Sequence, residues 1–270
     1  MAKPLLKWAG GKRKLLPEIK KRFPKKHNNY YEPFIGGGAV FFDLIPKNSI
    51  ISDLNTELIN VYTSVRDDVE GIINILSNCV NDENEYYRIR NMDKSTDSNY
   101  SSYIKFTPIQ RAARFIYMNR TCFNGLCRYN RSGHFNVPFG KYANPIICDA
   151  ITLRSCSKAL QNTKYIILAD YATVTKNAVE GDFIYFDPPY DGTFTSYSGN
   201  DFGEKEQTEL SNEFRRLDSI GVNCLLSNMD TPLIEKLYKG FKVSQLGITH
   251  TIGSKAEDRM KKVEVLITNQ

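Results

Sequence analysis

Two stretches near the amino terminus repeat one rhythm. Residues 30–45, YYEPFIGGGAVFFDLI, and residues 49–62, SIISDLNTELINVY, each pass from a strand-like apolar segment through a turn into helical spacing. The first turn holds Gly36, Gly37 and Gly38 and the second follows Asp53, with helices expected from about Ala39 and from Thr56. Strands that alternate with helices return to one sheet in parallel, so the chain is expected to be α/β, with a doubly wound, mostly parallel sheet of the Rossmann-like kind. The alternation resumes in KYIILAD (164–170), GDFIYFDPPY (181–190), VNCLLSN (222–228) and KKVEVLIT (261–268).

Between these blocks the rhythm breaks. From about Val69 to Asn119 the chain is polar and mostly helical in pattern, and it continues as TCFNGLCRYNRSGHFNVPFGKY (121–142), which reads as a hairpin with Gly133 in its turn. The expected division is a sheet domain from 1–56 and 161–270, interrupted by an inserted helical and hairpin domain over 57–160. At the amino terminus, Leu15, Leu16, Ile19 and Phe23 fall at helical spacing after a glycine turn. Lys12, Arg13, Lys14, Lys20, Lys21, Arg22, Lys25 and Lys26 are then expected on that helix's outer face. A net charge of +6, concentrated there, suits contact with phosphates.

Six cysteines form no C-x-x-C pair and only three histidines are available, so no metal site is expected and reduced thiols are the simple reading. Neither a signal-peptide core nor an apolar run of membrane length stands out, and a cytoplasmic protein without membrane contact is expected.

Gly36, Gly37 and Gly38 lie between a strand and a helix, where backbone can approach a ligand and donors point outward from a helix start. No Gly-Lys-Ser/Thr follows, and Phe41 occupies the place of the third glycine of G-x-G-x-x-G. Asp53, 17 residues after Gly36, ends the next strand, where a carboxylate can accept both hydroxyls of a ribose. A nucleoside cofactor is implied and a diphosphate is not.

The strand ending in Asp187-Pro188-Pro189-Tyr190 must stop there, because consecutive prolines lack ladder donors and fix φ. An acid, a rigid carbonyl and an aromatic face are thereby left at a strand's carboxyl end. Such a group suits an exocyclic amine of a nucleobase, whose lone pair is delocalised into its ring. If Asp187 and the Pro188 carbonyl each accept one N–H, the amine is drawn toward a pyramid and its lone pair is freed. Tyr190 is then expected to stack on a base flipped from its helix. A methyl on a sulfonium cofactor over the glycine turn would lie in line for displacement.

Lys7-Trp8-Ala9-Gly10-Gly11-Lys12, Glu32-Pro33-Phe34 with its glycines, Asp53, Asn124 to Asn130, Asn136 to Gly140 and Asp187 to Tyr190 occur in this order. In this the chain resembles, over nearly its whole length, the Dam-type DNA adenine-N6 methyltransferases of the alpha group, or D12 class. The resemblance implies S-adenosylmethionine as cofactor, double-stranded DNA as partner and GATC as target. It places Trp8, Lys12, Phe34, Gly36, Asp53 and Asp187 around the cofactor, and Asp170 by the cofactor adenine. Asp187, Pro188 and Tyr190 are implied as the catalytic group. Among DNA contacts, Arg128 stands where the family reads a guanine, and Asn124, Leu126, Pro138 and Lys7 match other base-contacting positions. Asn130, Asn136 and Lys141 match phosphate contacts. Phe123 takes the place of an intercalating aromatic where close relatives often have tyrosine.

Taken alone, the residues leave other readings open. Asp-Pro-Pro-Tyr suits any planar amine, including cytosine N4 or an RNA base, and a DNA-binding protein could keep the cofactor only as an effector. Phe123 and Leu126 could be hairpin core, and Arg128 could bind phosphate. A cognate restriction endonuclease is a further candidate partner.

Overall fold

The computed structural model describes residues 2–94, 106–192, 202–247 and 263–270. The described strands are β1 (Tyr30–Glu32), β2 (Ser49–Asp53), β3 (Thr163–Leu168), β4 (Phe183–Phe186), β5 (Asn223–Met229), β6 (Lys242–Leu246) and β7 (Glu264–Thr268). The helices are α1 (Leu16–Arg22), α2 (Ala39–Leu44), α3 (Thr56–Asp67), α4 (Val69–Ser77), α5 (Glu83–Arg90), α6 (Pro108–Thr121), α7 (Ala150–Leu160), α8 (Tyr171–Thr175), α9 (Glu204–Ser219) and α10 (Pro232–Leu237).

The strands form one sheet in the order β3-β2-β1-β4-β5-β7-β6. The pairs from β3 through β5 are parallel, and β7 runs antiparallel to both neighbours. The expected mostly parallel α/β sheet is therefore what the chain forms. β1 pairs with β2 on one side and β4 on the other, so the strand order reverses there. In open α/β sheets that reversal opens a crevice at the strands' carboxyl ends. Glu32 and Asp187 stand at the two lips of this crevice.

Both faces of the sheet are covered, which explains strands that are apolar at every position. Tyr30, Phe183 and Tyr185 point to the face packed by Leu15 and Ile19 near or in α1 and by Val40 of α2. Tyr31, Ile184 and Phe186 point to the other, where they meet Val174 of α8, Leu210, Phe214 and Leu217 of α9, and Ile234 of α10. A third core joins α3, α4, α6 and α7. Its centre is α6, whose Thr107–Gln110 capping box closes the amino end and whose residues 112–119 are buried. Arg114 of that helix is buried against Asp93, with Nη2 2.9 Å from Oδ2, and donates through Nε to the Ile89 carbonyl, which fastens α5 to α6.

Two expectations need correction. Of the basic residues expected on the first helix, Lys20, Lys21 and Arg22 lie on it; Lys12, Arg13 and Lys14 precede its start at Leu16, Lys12 being only 6% exposed, and Lys25 and Lys26 follow its end at Arg22. Asp170 does not end a strand either, since β3 stops at Leu168 and Asp170 is the N-cap of α8. β6, an edge strand, was not expected from the sequence.

Candidate active site

The site gathers at the carboxyl ends of β1, β2 and β4. Leaving β1, the chain turns through Gly36 and Gly38 with φ of +46° and +68°, conformations that glycine adopts without cost. A Cβ at Gly36 would lie 2.9 Å from the Trp8 ring, and one at Gly37 would lie 2.8 Å from Trp8 Cβ. The glycines thus make room for Trp8, a requirement beyond the open backbone expected from sequence. Asp53, at the end of β2, accepts from Gly36 N at 3.0 Å through Oδ2 and from Asn55 N at 2.9 Å through Oδ1. Burial pushes its carboxyl up, and those backbone donors oppose the push. Tyr62 of α3 donates to the Gly36 carbonyl at 2.5 Å, so the turn is held from both sides.

Phe34 stacks on Tyr171 at 5.7 Å between ring centroids, forming an aromatic wall beside the turn. The exposed Asp170 side chain accepts from Thr173 N at 2.7 Å as it caps α8. A group of exposed carboxylate, half-buried aromatic rings and a held glycine turn fits a nucleoside cofactor: Asp53 and Asp170 are acceptors for hydroxyl and amino protons, and the rings offer faces to a base.

At the end of β4, Lys12 Nζ lies 2.8 Å from Asp187 Oδ1 and 4.7 Å from the centre of the Tyr190 ring. Lys12 also donates to the Gly10 carbonyl at 2.5 Å, which fixes the ammonium from its own loop. Burial raises the Asp187 carboxyl above the usual aspartate range, while Lys12 first and Ser227 next pull it back. Pro188 is buried and Tyr190 half-buried, with the Tyr190 hydroxyl donating to Glu264 Oε2 at 3.1 Å. Beneath them, Glu32 accepts from Tyr30 Oη at 2.6 Å and is pushed up to about 8 by burial. Glu32, Ser227 and Glu264 were not singled out from sequence as site residues. Glu32 lay within a quoted motif, but nothing in an apolar strand pattern marks a buried acid.

A second cluster lies on the hairpin. Its two arms meet at Cys122–Phe139 and Tyr129–Phe135, and the turn closes through Gly133 N to the Asn130 carbonyl at 2.9 Å. Lys7, Phe123, Asn124, Arg128, Asn130, Pro138 and Lys141 are exposed, Phe123 at 50%. Leu126 and Asn136 are half-buried, and Leu126 packs on the α3–α6 core. Phe123 is therefore surface rather than hairpin core. Asn136 Oδ1 accepts from Arg128 Nε at 2.7 Å, and Asn130 Oδ1 accepts from Ser132 N and His134 N within its own turn. Asn119 of α6 joins the two clusters: it accepts from Lys7 N at 2.8 Å and donates to the Lys7 and Gly125 carbonyls. Lys7 Nζ then lies 4.5 Å from the centre of the Tyr142 ring.

All six cysteines are free, and no metal-binding cluster occurs among the described residues. None of the described helices is long and apolar enough to cross a membrane.

Comparison with known proteins agrees with this arrangement. The family profile of the D12 class N6 adenine-specific DNA methyltransferases matches residues 8–252. The chain is 42% identical to the type II methyltransferase M1.LlaDCHI of Lactococcus lactis, across 99% of this chain and 95% of that protein. It is 39% identical to the type II methyltransferase M.MjaIII of Methanocaldococcus jannaschii, across 99% of each. Against the DNA adenine methylase of Haemophilus influenzae the identity is 34%, across 98% of this chain and 92% of the relative. The carboxyl-end site on a mostly parallel sheet and a match over nearly the whole chain lead to one conclusion: this chain belongs to the D12 class of N6 adenine-specific DNA methyltransferases.

Proposed function

We propose that this DNA adenine methyltransferase uses S-adenosylmethionine to methylate N6 of an adenine flipped out of duplex DNA, within the sequence GATC. The observation that supports it most is Asp187 at the β1/β4 crevice, with Lys12 on its carboxylate and Tyr190 beside it. Trp8, Lys12, Phe34, Gly36, Asp53 and Asp187 line the cofactor, with Asp170 near its adenine. When bound, that cofactor supplies an electrophilic methyl group on a sulfonium centre.

The residues of the chain do the rest. Tyr190 stacks on the extruded adenine. Asp187 and the Pro188 carbonyl accept hydrogen bonds from the two N6–H groups, which localises the nitrogen lone pair toward the methyl group. Positioning carries much of the rate, since no strong base is needed. The methylated ammonium is strongly acidic and loses its proton after transfer. Lys12 favours the charged form of the half-buried Asp187, in which it accepts rather than donates.

For DNA, we assign Arg128 to a guanine of the site, where a guanidinium reads O6 and N7 together. Asn124, Leu126, Pro138 and Lys7 contact other bases, Asn130, Asn136 and Lys141 hold phosphates, and Phe123 stacks between bases. The boundaries 1–56, 57–160 and 161–270 describe a catalytic domain with an inserted recognition domain. A cytoplasmic location and a cognate restriction endonuclease belong to the same proposal.

Labelled methyl transfer to duplexes in which each base of GATC is changed in turn tests it. Transfer confined to the intact site is expected, with N6-methyladenine as the product after nuclease digestion. Equal labelling of every duplex would remove the site assignment.

A further inference from the structure

Two donors converge on one oxygen of Asp187. Lys12 Nζ is 2.8 Å from Oδ1, and Ser227 Oγ donates to the same atom at 2.8 Å. Among the described residues, every hydrogen bond to this carboxylate falls on Oδ1. Ser227 is fully buried on β5, the strand paired with β4, one step beyond the Phe186–Leu226 pair and so level with the acid. Tyr185 Oη lies 3.0 Å from Ser227 Oγ. The serine has one proton, and its other acceptor, the Phe186 carbonyl, is 3.5 Å away, so the shorter contact to Asp187 takes that proton. Tyr185 is then the donor to Ser227. The result is a directed chain, Tyr185 O–H to Ser227 O–H to Asp187 Oδ1.

We propose that Ser227 is a positioning residue for methyl transfer: together with Lys12 it saturates Oδ1 and so presents Oδ2 to the incoming adenine amine. This rests on the reading of Asp187 as the acceptor of the N6 proton. A carboxylate held by one partner can rotate about χ2, whereas two donors from different directions fix its plane. The donors come from separate parts of the fold, Lys12 from the amino-terminal loop and Ser227 from the sheet. The amine therefore meets an oxygen whose direction is set before DNA arrives, which lowers the reorganisation needed at the moment of reaction.

A hydroxyl that merely satisfied the strand's interior would affect stability and not the chemical step. Single-turnover methyl transfer by the full chain, with labelled S-adenosylmethionine and a GATC duplex, separates the two roles. Ser227→Ala is expected to slow transfer about 10- to 100-fold, the scale of one hydrogen bond to a charged group. Its dissociation constants for cofactor and DNA are expected to stay within about twofold. The acidic limb of its pH–rate profile is expected to move to higher pH, because the charged form of Asp187 loses a donor. Lys12, Glu32 from β1, Glu264 from β7, Tyr185 and Tyr190 also face this acid. All are unchanged in the variant, so the movement reports the serine.

Tyr185→Phe, which keeps the ring, is expected to shift rate and limb in the same directions by less, and it decides the matter if Ser227→Ala does not fold. Wild-type rates in the variants, or slowed transfer with an unmoved acidic limb, overturn the role of Ser227. Asp187→Ala is run beside them: if it still transfers methyl groups, the reading of Asp187 itself is wrong. If it is inactive while Ser227→Ala is normal, only the positioning role falls.

Discussion

Arg128 and Asn136 restrain one another across the hairpin. The bond from Arg128 Nε to Asn136 Oδ1 occupies one edge of the guanidinium. The two terminal nitrogens stay directed away from that contact, as a fork suited to guanine needs. Arg128→Ala is expected to lose about 1–3 kcal/mol of discrimination at one guanine, measured as the ratio of kcat/KM on cognate and single-base variant duplexes. Asn136 has two routes to DNA, a phosphate contact of its own or the orientation of Arg128. A phosphate contact weakens binding to all duplexes alike when removed and lowers the salt dependence. Orientation instead makes Asn136→Ala lose discrimination at the same guanine, with little further loss when combined with Arg128→Ala. The observed bond predicts the second loss in addition to that of the phosphate contact, and additive losses of discrimination in the double variant would refute it.

The glycine turn before α2 shows how an element can be legible while its reason is not. Three consecutive glycines between a strand and a helix mark a turn, and α2 starts at the expected Ala39. What the turn must accommodate, the ring of Trp8, 28 residues before Gly36, is a tertiary contact that no local pattern reveals. Gly36→Ala combines a strained φ with a Cβ 2.9 Å from that ring, and Gly36 also donates to Asp53. It is expected to cost about 1–3 kcal/mol in urea unfolding and to weaken S-adenosylmethionine binding at Asp53. Wild-type stability with wild-type cofactor affinity would show that the turn can relax.

Other elements divide along the same line. β4 and the apolar centre of β7 (Val265 to Ile267) are buried at every position because both faces are covered, and both strands were visible. β6, KVSQL, is mostly exposed at the sheet's edge and gains its strand form from pairing with β7, so it carried no apolar signal. In the site, Asp187 was visible because two prolines stop its strand. Ser227 and Glu32 were not, because a single polar residue inside a buried strand looks the same whether it orients a catalytic group or only satisfies a neighbour.

Across the molecule, Glu32, Asp187 and Glu264 converge on a crevice where Lys12 is the cation in contact with an acid. Lys12 touches Asp187 and opposes the burial that raises that acid's carboxyl. Glu32 has no ion-pair partner among the described residues, is 2% exposed and is pushed up to about 8, chiefly by burial. Its ordinary value of about 4.3 applies in the unfolded chain. Between these values the folded protein holds a proton that the unfolded chain has released, so stability falls as pH rises through that window. Glu32's contribution is fully present below the unfolded value and is lost toward pH 8, with a slope of at most about 1.4 kcal/mol per pH unit. Burial acts in the same direction on Asp53 and Asp187, so part of the trend belongs to them. Glu32→Gln keeps an acceptor for Tyr30 and removes the titration. Thermal midpoints measured from pH 5 to pH 8.5 are therefore expected to decline in the wild type and to decline less steeply in Glu32→Gln, the wild-type curve falling progressively relative to the variant's as pH rises. Parallel curves would mean that Glu32 is ionised in the folded protein, in which case Lys12 neutralises two acids and its hold on Asp187 is weaker than the geometry implies.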